Sequence, residues 1–291
     1  MRDVYGKDEG HGSLANCELA CKVYGVMPCI ISPFCFMKNI KLILICLFVM
    51  FCVADFSALS QSLVEFKDGD GSWSYEKAGV HGWTVYYAAE IAKDPQLKSK
   101  VKVQLTTGIE NFLDKIPKEA SDFLREIPIW VSDEPGYPLR RNERGVIPFH
   151  RSKSWLRKHG LNPHMAPGVH VINPQAVLFE HKILEWGPMT LLHELAHAYH
   201  NVKLKVSNEV IRQAYAKAMA SGLYLRVPDR KDKLKRVRAY AAANHEEYFA
   251  ELTEAYFGKN DWFPHNREEL KKYDPRGYSM IKELWDARAF R

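Results

Sequence analysis

Leu97, Val101, Leu105, Ile109, Phe112 and Ile116 recur three or four residues apart, which places them on one face of a helix. Asp94-Pro95 supplies a cap and a first-turn proline ahead of that face, and Pro117 ends it. Aromatic or β-branched stretches at Trp83–Tyr87, Ile127–Val131 and Val169–Ile172 predict strands, with Pro128 putting the second at a sheet edge. Residues 67–72 read as a loop. Residues 133–168, rich in Pro, Gly, Arg and His, read as irregular apart from a helical turn around Ser154–His159. From Gly187-Pro188 onward the pattern is helical: Pro188–Val202, Asn208–Ser221 stopped by Gly222, Tyr240–Phe257 stopped by Gly258, Arg267–Tyr273 capped by Asn266, and a last helix from Asp274-Pro275 through Trp285. Mixed elements first and helices afterwards, with no internal repeat, predict an α+β domain over 66–291 with a small mixed or antiparallel sheet.

The amino-terminal part has a different pattern. Residues 1–36 show no periodicity and read as an over-long gene model or a cytoplasmic tail. Lys38 and Lys41 precede the apolar run Leu42–Ala54, followed by small residues, so 37–58 reads as a secretory signal peptide. The run is short for a membrane span, which takes about 20 residues. The expected location is therefore extracellular, with a type II signal anchor as the rival and the membrane as partner only if the segment stays uncleaved.

Composition narrows the chemistry. All 6 cysteines lie at or before Cys52, so the globular part has neither a disulfide framework nor a thiol nucleophile nor a thiolate metal ligand. The net charge of +6 is spread along the chain, and the basic run Arg230–Arg236 comes without any nucleic-acid motif, so no nucleic-acid partner is expected. No Asn-x-Ser/Thr sequon occurs.

One helical stretch carries reactive side chains. In Met189–Asn201, His193, Glu194 and His197 form H-E-x-x-H. Four residues advance a helix by about 6 Å and about 40°, so both imidazoles can close on one ion. Glu194 points about 100° away, where it can reach a water but not replace a ligand. Apolar residues surround this helix, so it is predicted buried, where a metal would satisfy polar groups otherwise costly to bury. The plainer reading is a core helix whose polar groups bond internally.

Zinc catalysis needs a third protein ligand. His200 fails, because it stands about 10.5 Å from His193 along a straight helix. It also occupies the glycine position of H-E-x-x-H-x-x-G-x-x-H enzymes, and Lys203 stands where their third histidine would be. Glu247, Glu251 and Glu254 share one helical stripe beside the apolar Tyr248, Phe249, Leu252 and Tyr256. The pattern alone reads equally as a ligand stripe or a solvated acidic face.

Taken together, His193-Glu194-Leu195-Ala196-His197, Tyr240 and Asn244-His245-Glu246-Glu247-Tyr248-Phe249-Ala250-Glu251 resemble the catalytic domain of the anthrax toxin lethal factor family and its secreted relatives. The specific match covers about residues 187–258. The resemblance implies a zincin-like fold, one Zn2+ per chain, Glu247 as third ligand, Tyr240 as the transition-state tyrosine and Glu251 as the carboxylate orienting a ligand histidine. His200, His245 and Glu254 are expected to be structural. The chain is too short for the toxin's other domains, so receptor binding and kinase cleavage do not carry over.

The expected function is a secreted zinc metallopeptidase acting on a peptide or protein substrate, with Glu194 as general base. The alternatives are a zincin-fold binding protein without peptidase activity, or a zinc hydrolase of a non-protein substrate. Peptide would align along an edge strand, with His170–Asn173 as the candidate.

Overall fold

The stripe spaced through Leu97–Phe112 folds as helix α1, Pro95–Leu113, with the Asp94 carboxylate accepting from the N–H groups of Gln96 and Leu97. Its Val101, Leu105, Ile109 and Phe112 are buried. This is a computed structural model, and it describes residues 63–135, 137, 147–175, 189–230 and 232–286. The segments read as extension and signal, 1–36 and 37–58, lie outside the described residues. Among the described residues no helix is long and apolar enough to cross a membrane.

Ahead of α1 come β1 (Val64–Asp68), β2 (Gly71–Val80) and β3 (Trp83–Ala88). The stretch expected as a loop, 67–72, is mostly strand: Lys67 pairs with Ser72 and Asp68 with Gly71, and only Gly69-Asp70 make the tight turn of the β1–β2 hairpin, where Gly69 takes φ +57° at no steric cost. After α1 follow α2 (Lys118–Leu124), β4 (Ile129–Val131), β5 (Phe149–His150), α3 (Lys153–Lys158) and β6 (Gly168–Val171). The remainder is helical apart from one short hairpin, β7 (Val227–Pro228) with β8 (Arg236–Val237). Its helices are α4 (Thr190–Ala198), α5 (Glu209–Ala220), α6 (His245–Phe257), α7 (Arg267–Tyr273) and α8 (Pro275–Leu284). The architecture is the predicted mixed α+β, with one small mixed sheet and a helical second half.

The sheet runs β1-β2-β3-β4-β6-β5. The first three strands are antiparallel, β3, β4 and β6 are parallel, and β5 returns antiparallel at the edge. Two expectations fail here. β4 is interior despite Pro128, because the proline lies just before the strand, where its carbonyl accepts from Val169 N–H (3.0 Å) and no donor is required of it. The candidate edge at His170–Asn173 is not one along β6, which lies between β4 and β5. The edge strand on this side of the sheet is Phe149–His150, within the stretch expected to be irregular.

α4 lies against α1, where a Cβ on Gly108 would meet Leu191 Cδ2 at 3.6 Å. It also packs on α6, which is backed by α8. Trp285 stacks on Phe249 (6.2 Å, 4° between planes) and packs against Tyr199 at 4.5 Å, while its Nε1–H donates to Thr253 Oγ1 (3.1 Å). Asp274 is a buried aspartate and therefore needs donors. Its Oδ2 accepts from Tyr248 (2.5 Å) and Tyr224 (3.0 Å), and its Oδ1 accepts from Gly277 N–H (2.8 Å), which starts α8.

Gly277 is needed at that junction. A Cβ there would come within 2.5 Å of Asp274 Oδ2, 2.5 Å of Leu252 Cδ2 and 2.6 Å of the Tyr248 hydroxyl oxygen. Gly277→Ala is predicted to destabilise the fold by about 1–3 kcal/mol, the usual cost of overpacking. Denaturant unfolding checks this, and an unchanged midpoint would show that α8 does not press on α6 at this point.

Candidate metal centre

The histidine pair stands on α4, a short helix whose preceding residue, Met189, offers no side-chain cap. His193 N–H bonds Met189 O (2.8 Å), which starts the helical ladder. The imidazoles of His193 and His197 lie 4.8 Å apart, nearly perpendicular. Facing them is Glu247 in the first turn of α6. That turn is set by Asn244, extended at φ −162°, whose side-chain oxygen accepts from Glu246 N–H and Glu247 N–H, both at 2.9 Å. The cap corrects the expected helix boundary: Tyr240–Ala242 is a separate 3₁₀ turn, and α6 begins at His245.

Glu247 Oε2 lies 3.1 Å from His193 Nε2 and 3.2 Å from His197 Nε2. Burial would raise the Glu247 carboxyl, but the two imidazoles outweigh it and hold the group well below the ordinary carboxylate range. Burial works against charging His193, but its bonds to Glu247 and Glu254 prevail and raise its pKa well above the ordinary value.

The two Glu247–imidazole spacings suit a metal ion. Donor atoms on one tetrahedral zinc, at about 2.0–2.1 Å from it, lie about 3.3 Å apart, close to the two Glu247–imidazole spacings. His193, Glu194 and His197 also offer ligand atoms within 4.8 Å of one another, as do His193, Glu251 and Glu254, so either group could hold an ion. Glu194 is tethered from the other side. Its Oε2 accepts from Phe149 N–H at 2.7 Å, on the edge strand β5, leaving Oε1 as the second oxygen. Burial raises the Glu194 carboxyl pKa against the opposing effect of the histidines and the Phe149 N–H.

Tyr240 is 39% exposed, and its ring lies roughly parallel to that of His193 (6.2 Å, 25°). Burial together with the negative charge of the nearby Glu247 carboxylate pushes the phenol above its ordinary range, so it stays protonated. The structure thus brings His193, Glu194, His197, Tyr240 and Glu247 together. It does not put Glu251 on a histidine. Glu251 Oε1 stands 3.9 Å from His193 Nδ1, and Oε2 accepts instead from Asn260 Nδ2 (3.0 Å). The carboxylate on Nδ1 is Glu254, at 2.6 Å, a residue expected from the sequence to be structural. His200 is buried in the π-helical turn Tyr199–Leu204, and burial lowers its pKa to about 4.

The wall beside Glu194 is held by a buried chain of polar groups. His150 Nε2 meets His170 Nδ1 (3.0 Å), His170 Nε2 meets Ser132 Oγ (2.7 Å), and the Ser132 hydroxyl donates to Glu134 Oε1 (2.9 Å). With the serine donating outward, His170 Nε2–H donates to Ser132 and His150 Nε2–H donates to His170. Burial keeps both imidazoles neutral, lowering His150 to about 4 and, with the neighbouring His150, holding His170 well below its usual value.

No family model, curated protein or solved structure matches the chain. The functional reading therefore stands on the sequence motifs and on the geometry of the centre.

The neutral histidines make stability depend on pH. Above about pH 6.5 neither state binds the proton, and below it the unfolded chain protonates while folded His150 does not until about pH 4. Folding therefore weakens as pH falls through this window, by about 2 kcal/mol from His150 alone at pH 5. Urea unfolding at pH 7 and pH 5 should show the stability advantage of wild type over His150→Gln shrinking by about that amount. A constant difference would contradict a buried neutral His150.

Proposed function

We propose that this chain is a zinc-dependent metallopeptidase of zincin-like fold, exported by its amino-terminal leader and acting on peptide bonds. The observation that carries the reading is the convergence of His193 Nε2, His197 Nε2 and Glu247 Oε2, with Glu194 beside them tethered through one carboxylate oxygen. A purely structural ion has no use for an adjacent general base and is usually enclosed by four protein ligands.

His193, His197 and Glu247 would hold the ion. Zinc there would supply a Lewis acid for a carbonyl oxygen and a water acidified towards about pH 7. Glu194 does the proton work. Phe149 N–H fixes Oε2, so Oε1 takes the proton from the attacking water and later delivers it to the leaving amine. The raised carboxyl pKa suits a group that must accept and then release a proton. Tyr240 keeps its proton and stands partly exposed over His193, so its hydroxyl can donate to the oxyanion that develops on the substrate. The edge strand β5, which already holds the general base, is the surface along which an extended peptide would lie.

Glu194→Gln is predicted to keep about one zinc per chain and to lose about 10²–10⁴-fold in peptide hydrolysis. Metal analysis and a peptide-library assay test this, and wild type that binds zinc but cleaves nothing would sink the peptidase reading. Tyr240→Phe is expected to lower kcat by about 10²-fold with little change in KM. A change confined to KM would instead place Tyr240 in substrate binding.

A further inference from the structure

We propose that Glu254 is the positioning residue of this centre, fixing through one carboxylate both the tautomer of His193 and the start of the helix that carries it. Glu254 lies on α6, seven residues after Glu247 and on the same face, about 10.5 Å further along the axis. It is buried at 3% exposure, and both of its oxygens are used. Oε1 meets His193 Nδ1 at 2.6 Å, and Oε2 accepts from Met189 N–H at 3.1 Å.

These contacts close a ring. Glu254 binds the His193 side chain, His193 N–H binds Met189 O (2.8 Å), and Met189 N–H returns to Glu254. The ring has two consequences. A carboxylate on Nδ1 makes that nitrogen the donor, so the proton the ring would give up to bind an ion is the one on Nε2, which faces Glu247, and the lone pair would form there. The second oxygen satisfies a backbone donor at the opening of α4, where Met189 lends no side-chain cap and the helix dipole favours negative charge. The ligand is thus fixed at its ring and at its backbone by one side chain from the facing helix.

Glu251, four residues after Glu247, is committed elsewhere. Asn260 Nδ2 donates both to its Oε2 (3.0 Å) and to its backbone carbonyl (3.2 Å), which ties it to the loop after α6. Its other oxygen stays 3.9 Å from His193 Nδ1, beyond hydrogen-bond reach. It supports the space beside Glu254 rather than the imidazole.

For its effect on metal affinity the inference rests on the reading of His193 as a ligand, whereas the hydrogen bond itself does not. The test therefore has two readouts on the full chain. The first is the proton resonance of the His193 Nδ1–H, which a short bond to a carboxylate moves downfield. It is expected in wild type and Glu251→Gln, and lost or moved upfield in Glu254→Gln, whose amide can accept from only one of the two donors. The second is zinc affinity by competition with a chelator, expected to fall about 10–100-fold in Glu254→Gln and Glu254→Ala and to stay unchanged in Glu251→Gln. Glu254→Gln preserves volume, so it decides the matter if Glu254→Ala does not fold. The inference is overturned if the Glu254 variants keep the resonance and the affinity, or if Glu251→Gln shifts them as far. Wild type that binds no zinc would defeat the metal reading, and the resonance would still decide the role of Glu254.

Discussion

A single carboxylate oxygen, Glu247 Oε2, lies between two imidazole nitrogens at nearly equal distances. That contact defines the centre, and much of the helical half bears on it. It requires α4 and α6 to face each other with His193, His197 and Glu247 in register, and it gathers ionisable groups where burial is costly. Each of those groups has a partner. Glu254 holds the far side of His193, Phe149 N–H holds Glu194, and the Tyr240 ring lies alongside that of His193.

The scaffold behind this contact is conventional in its physics. α4 is pressed between α1 and α6, and α6 is backed by α8 through Trp285, Phe249 and the glycine contact at Gly277. Asp274 gathers two tyrosine hydroxyls and a backbone N–H at the start of α8, so polar bonds and close packing fix the same junction. The sheet contributes its edge. β5 is short, but the chain His150–His170–Ser132–Glu134 ties it to β6 and to the end of β4, and its Phe149 N–H reaches the carboxylate proposed as general base.

Local rules make part of this readable in the sequence. H-E-x-x-H places two imidazoles on one face wherever it lies on a helix, and Asp94-Pro95 and Asn266 each announce a helix start. Asn244 is legible in the same way, although the apolar pattern extends the helix back to Tyr240, because nothing in that pattern distinguishes a 3₁₀ turn followed by a cap from a continuous helix. Glu254 escapes sequence reasoning for a different reason. Glu247, Glu251 and Glu254 share a stripe, and which of them reaches His193 Nδ1 depends on how α6 crosses α4, a tertiary quantity. Phe149 lies beyond any side-chain motif, since the donor is a backbone N–H on a strand too short to show alternation. Pro128 misleads because its position relative to the strand start, rather than its presence, decides whether a ladder donor is lacking.

Everything proposed for the chemistry turns on whether a metal sits among His193, His197 and Glu247. An anomalous difference map answers that, recorded above the zinc absorption edge from crystals grown with stoichiometric zinc. The expected result is one peak per chain, bounded by the two Nε2 atoms and Glu247 Oε2, with an open side towards Glu194. A peak instead at His193 Nδ1 between Glu251 and Glu254, or no peak at all, would overturn the assignment.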